Sequence, residues 1–115
     1  MVVSVTCGAK KNLREFTRGT TPQSALMCKG IDLTGWSVFV TFEQGTHELT
    51  VTDVEVEVVE WGSIVRFTLT QEDTLGFKEG TGKVQVRAVK DGKAIASRKN
   101  FIDIGGVLLD GVIEQ

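Results

Sequence analysis

The sequence predicts an all-β fold, an immunoglobulin-like antiparallel β-sandwich of about seven or eight strands with one short helical turn near 71–76. Three observations carry this. No helical period is sustained anywhere, whereas apolar and polar residues alternate with period two in several runs. Turn signals punctuate those runs at the spacing usual for sandwiches. The single proline, Pro22, lies outside the alternating runs, as ladder hydrogen bonding requires. A small closed barrel is the alternative architecture. With 115 residues the chain fits one domain, 1–115, around one core.

The elements follow in order. "NLREFT" and "QSALMC" read as two short strands near the start. In "WSVFVTF", Trp36, Val38, Val40 and Phe42 face one way, and Ser37 and Thr41 the other. "EQGTHE", residues 43–48, turns the chain into a strand over 48–53, and a kink or bulge is expected near Asp53. In "VEVEVVE", Val54, Val56 and Val58 alternate with Glu55 and Glu57; "EWGS", residues 60–63, then turns back. "IVRFTLT" turns Val65, Phe67 and Leu69 inward, and "KVQVRAV" does the same with Val84, Val86 and Ala88. Such alternation leaves one face buried and one wet, the habit of antiparallel sheets. "KDGK", residues 90–93, is an Asp-Gly hairpin signal, because a type I′ turn needs positive φ at both central residues. Pairing Lys90 with Lys93 sets Ala88 opposite Ile95 and Val86 opposite Ser97. The expected core is Trp36, Val38, Val40, Phe42, Val56, Val65, Phe67, Leu69, Val84, Val86, Ala88 and Ile95.

"LTQEDTLGFKEG", residues 69–80, gathers Glu72, Asp73 and Glu79 and raises the question of a carboxylate site. Thr70 followed by Asp73 is a capping pattern: the threonine hydroxyl accepts from the amide three residues on, and the aspartate suits a helix N-terminus. Leu75 and Phe77 can then fold onto the core, with Gly80 and Gly82 ending the turn. Adjacent Glu72 and Asp73 cannot flank a substrate as a hydrolytic pair does, and the order of oxygen donors is not that of a calcium loop. The stretch is therefore expected to be a structural corner.

Composition excludes several classes. A net charge of −2 gives no basic face for nucleic acid and no polybasic anchor for a membrane. No run is long enough for a transmembrane helix, and the N-terminus lacks the pattern of a signal peptide. Cys7 and Cys28 match no zinc spacing and form no disulfide framework. A reducing site of folding fits them, with one Cys7–Cys28 bridge as the alternative.

Candidate site residues are few. His47, the single histidine, sits in a turn without a nucleophile motif. Glu55, Glu57 and Glu60 suit a solvated strand edge better than a metal. Trp36 alternates with core residues, whereas Trp61, between Glu60 and Gly62, is expected to be exposed and available for recognition. "RGTTP", residues 18–22, falls short of a phosphate-cradling loop. The tail "IGGVLLDGVIEQ" carries Val107, Leu108, Leu109, Val112 and Ile113, more apolar surface than a free terminus leaves in water. Trp61 and these five residues form the candidate interaction surface. The tail can dock on its own sheet or on a partner, and both remain open. No catalytic residue, metal ligand or cofactor is expected.

Four segments together, "FTRGTTP" at 16–22, "IDLTGWSVFVTFEQG" at 31–45, "FTLTQEDTLGFKEGTGKVQVRAVKDGKAIAS" at 67–97 and "GVLLDGVI" at 106–113, resemble a family of small phage and prophage proteins of gut Firmicutes, whose genes lie among virion structural genes. They are also similar to the N-terminal sandwich domain of phage baseplate upper proteins. The resemblance implies a tail- or baseplate-associated structural module without catalytic activity. It also implies self-association or contact with another virion protein, made in the bacterial host cytoplasm and then carried in the virion. It brings no catalytic residues. Carbohydrate binding or host-surface recognition is the alternative function.

Overall fold

The computed structural model describes the backbone of residues 6–7 and all of residues 14–115. The start of the expected "NLREFT" strand, at residues 12–13, lies outside the described residues. Ten strands and one helix follow in the order β1 Thr6–Cys7, β2 Glu15–Thr17, β3 Gln23–Lys29, β4 Ser37–Gln44, β5 His47–Val51, β6 Glu55–Val59, β7 Gly62–Thr68, α1 Gln71–Leu75, β8 Gly80–Lys90, β9 Lys93–Ala96 and β10 Asn100–Gly105. They form two sheets, one ordered β1-β3-β7-β6, the other β2-β10-β8-β4-β5 with β9 paired to the upper part of β8. The fold is an all-β sandwich of immunoglobulin-like arrangement.

Its inner faces are the ones the alternation predicts. Val38, Val40 and Phe42 of β4 face Ala88, Val86 and Val84 of β8 in register, and all six are buried. Leu26, Cys28, Val65, Phe67 and Leu69 come in from the other side of the same cluster. Phe42 bridges the layers, edge-on to Phe67 at 5.9 Å and to Phe16 at 6.3 Å. Such edge-to-face pairs add to the area they bury. Two expected core residues differ: Trp36 and Val56 are only half-buried and lean against the core from its rim. Val56 lies on β6, which among the described residues has a neighbouring strand on one side only, and the nearby Val58 is exposed. Phe16, Leu33, Ile102 and Ile104 join the core without having been expected there.

The hairpins follow turn chemistry. Asp91 (φ 49°) and Gly92 (φ 78°) give the type I′ turn, with Lys90 opposite Lys93 and Ala88 opposite Ile95 as expected. The break near Asp53 is where the chain leaves one sheet for the other, tightened by a Val54 N–H bond to the Thr52 carbonyl at 3.1 Å. At the other end Ser63, fully buried, donates to the Ile31 carbonyl (2.8 Å) and accepts from Leu33 N–H (3.0 Å), which holds the β3–β4 connection down. In that connection Asp32 accepts from Thr34, and this bonding lowers its carboxyl below the usual range.

Three features depart from expectation. The sandwich is not wholly antiparallel, because β2 runs parallel to β10, Phe16 beside Ile104. A one-residue bulge separates β9 from β10: Arg87 pairs with Ala96, but Val84 pairs with Asn100. The inward parity therefore changes from Ile95 and Ser97 to Ile102 and Ile104. Finally, Cys28 is disulfide-bonded rather than reduced. Cys7, the other cysteine of the sequence, lies directly across from it in the β1–β3 register, a separation within ordinary disulfide reach. A bonded Cys28 does not fit a reducing site of folding.

Candidate functional site

The acidic stretch at residues 69–80 lies where β7 hands the chain to β8, and it is a corner. Thr70 is the N-cap of α1: its hydroxyl accepts from Asp73 N–H (3.0 Å), and the Asp73 carboxylate accepts from Thr70 N–H (3.0 Å). This reciprocal pair satisfies two donors that a helix start would otherwise leave bare. Thr74, buried, accepts from Gly19 N–H (2.9 Å) and donates toward the Thr20 carbonyl (3.0 Å), which ties the helix to the β2–β3 turn. Phe77 plugs the layer gap, edge-on to Phe16, Phe42 and the His47 ring, the last at 4.6 Å. Gly82 does not end the turn as expected; it lies within β8, where a Cβ would crowd the Glu43 carbonyl.

Arg18 organises this end of the molecule. Its Nε donates to the Phe77 carbonyl (2.7 Å) and its Nη2 to the Leu75 carbonyl (3.2 Å), covering carbonyls that α1 leaves open. The same Nη2 lies 3.3 Å from the Asp110 carboxylate. The C-terminal segment is thereby fastened across α1. The Gly105 carbonyl accepts from Arg18 N–H (3.0 Å), and Asp110 meets the guanidinium. The Gln71 side-chain amide grips Ile113 twice, accepting from its N–H (2.9 Å) and donating to its carbonyl (3.0 Å).

The fastening is polar, and the apolar side chains are left over. Val107 packs near Gly19, but Leu108 is fully exposed and Leu109, Val112 and Ile113 are 66%, 54% and 58% exposed. Of the expected surface, the five tail residues thus share one segment at the α1 end. Trp61 does not join them. It sits in the β6–β7 turn, with its carbonyl accepting from Gly30 N–H (2.8 Å), at the opposite end of β7 from α1. Phe101, 71% exposed, belongs to the outer face of the other sheet.

No family model matches the chain, and no curated protein matches it.

The remaining candidates stay dispersed. His47 packs its ring edge-on to Phe77. Among the described residues no group of three histidine, cysteine or acidic side chains could hold a metal ion. Glu57 lies 3.4 Å from Arg66 with both half-exposed, a contact of small worth in water. An open groove of about 420 Å³ beside β6 is lined by Asp53, Glu55, Arg66, Gln23, Ser24 and Thr68, and holds no acid–base pair in a closed setting. Arg18 and Gln71 were not picked out from the sequence. Their partners lie 92 and 42 residues away, so no local pattern announces them.

Proposed function

We propose that the domain is a non-catalytic structural module of a phage virion, tail- or baseplate-associated, that joins its neighbours through the C-terminal segment. One observation carries this reading. The backbone of residues 105–113 is held by Arg18 and Gln71, while Leu108, Leu109, Val112 and Ile113 stay in water. A segment docked for its own stability would turn those side chains inward, since burying each stabilises by about 1.5–3 kcal/mol. Here the segment is ordered by polar contacts and presents its apolar side chains outward, as a preorganised anchor does. The resemblance to small phage structural proteins supplies the setting. Assembly in the host followed by release into an oxidising exterior also accommodates the bonded Cys28, because disulfides are rare in the cytosol and persist on virion surfaces.

The test is the full-length double variant Leu109→Ser/Ile113→Ser, which keeps every backbone bond named above. An unchanged circular dichroism spectrum with loss of self-association, or of binding to co-encoded virion proteins, is the expected result. A wild-type chain that stays monomeric and binds none of those proteins rejects the reading.

A further inference from the structure

Five strands have an unpaired edge among the described residues: β1, β2, β5, β6 and β9. β6 ends the four-stranded sheet, and β9 pairs only with β8, whereas β10 below the bulge is covered by β2. An open edge presents a row of amide and carbonyl groups ready to pair with another strand. Of these, the β6 and β9 edges carry opposite charge. Along β6 and its flanks stand Asp53, Glu55, Glu57 and Glu60, all exposed. Around β9 stand Arg87, Lys90, Lys93, Arg98 and Lys99, also exposed, and among the described residues none of these five forms an ion pair.

Building on the assembly reading above, we propose that a second copy of this chain docks edge to edge, the acidic β6 of one copy pairing with the basic β9 of the next. Charge selects this partner. β6 against β6 would place carboxylates opposite one another, and β9 against β9 would do the same with cations; like charges across a ladder destabilise it. A two-fold contact through either of these edges is thus disfavoured, and charge favours the unlike contact. That contact is heterologous, so it joins copies head to tail into a ring or an open row. The side chains fit as well as the charges. The outer face of β9 carries Ala94 and Ala96, paired with Val89 and Arg87. Two methyl groups leave a gap through which Glu55 and Glu57 of an incoming strand reach the Arg87 guanidinium, where a carboxylate is held by a bidentate fork.

The experiment measures mass by sedimentation across concentration, at low salt and at about 1 M salt, where the screening length is about 3 Å. Three full-length chains are compared: wild type, Glu55→Lys/Glu57→Lys and Lys93→Glu/Arg98→Glu. The wild type is expected to associate at low salt and to dissociate at high salt. Each variant alone should associate at least about tenfold more weakly, because one of its two edges has lost most of its net charge. An equimolar mixture of the two variants should associate one to one with wild-type strength, since the unaltered basic edge of one finds the unaltered acidic edge of the other. That recovery excludes misfolding as the cause of the loss. Variants that associate as the wild type does, a mixture that recovers nothing, or a wild type monomeric at low salt would each overturn the edge contact. The tail variant Leu109→Ser/Ile113→Ser separates the two ideas. If it abolishes association while the charge variants keep it, the tail reading stands and the edge contact falls; if salt-sensitive association survives in it, the edge contact stands alone.

Discussion

Single side chains set the ends of this fold. Thr70→Ala removes the hydroxyl that accepts from Asp73 N–H, so it should cost about 0.5–2 kcal/mol in urea unfolding and leave any binding untouched. A loss of binding at unchanged stability would instead make the acidic corner a site. Ser63→Ala is expected to cost about 1–3 kcal/mol, because the buried Leu33 N–H and the Ile31 carbonyl would both lose their partner. A thermal midpoint equal to that of the wild type would show that water enters to replace the hydroxyl. The two residues differ in legibility. The Thr70–Asp73 box spans three residues, so "TQED" displays it. Ser63 bonds residues 30 and 32 positions away, and nothing around it in the sequence announces a buried hydroxyl.

At the scale of elements, what could be read was what is local. β4 and β8 show their inward faces as plain alternation, and the Asp-Gly hairpin fixes its own register. β10 hides its face, because the bulge after Ala96 turns the strand over and makes Ile102 and Ile104 the inward pair. The N-terminal strand hides its division: β1 joins one sheet and β2 the other, and three residues of β2 are too few for a period. Parallel pairing of β2 with β10 is set by which neighbours lie free, not by either sequence alone. One turn makes a sharp demand. Gly62 has φ 156°, and a Cβ there would run into the Cys28 carbonyl and lie 3.0 Å from Gly30 N. Gly62→Ala should therefore destabilise by about 3 kcal/mol, through displacement of β3 from β7. Protection from hydrogen exchange in residues 62–64 that matches the wild type would contradict this.

For the whole molecule, the covalent tie at Cys28 lies inside the core cluster it shares with Leu26 and Val65. Reduction should lower stability by about 2–5 kcal/mol, read as a drop in the urea midpoint with reductant present. An unchanged midpoint would mean that β1 adds nothing to the sandwich. The pairing was left open by the sequence because only the register of two distant strands brings the cysteines together. The candidate surface was legible in the same partial way: the apolar tail is visible as composition, but its fastening by Arg18 and Gln71 needs the folded chain. The principal extents of the molecule are 45 × 29 × 27 Å. β8, eleven residues long, spans roughly 37 Å at strand rise, so it lies along the longest of them. The tail sits at one end of that axis, and the charged edges flank it. The molecule is therefore a ruler with two unequal scales. Copies joined from the tail of one to the far end of the next would stack with an axial repeat near 45 Å, and copies joined along their edges would stand side by side at a spacing near 29 Å. Layer lines in a diffraction pattern from an assembled particle would tell which junction builds it.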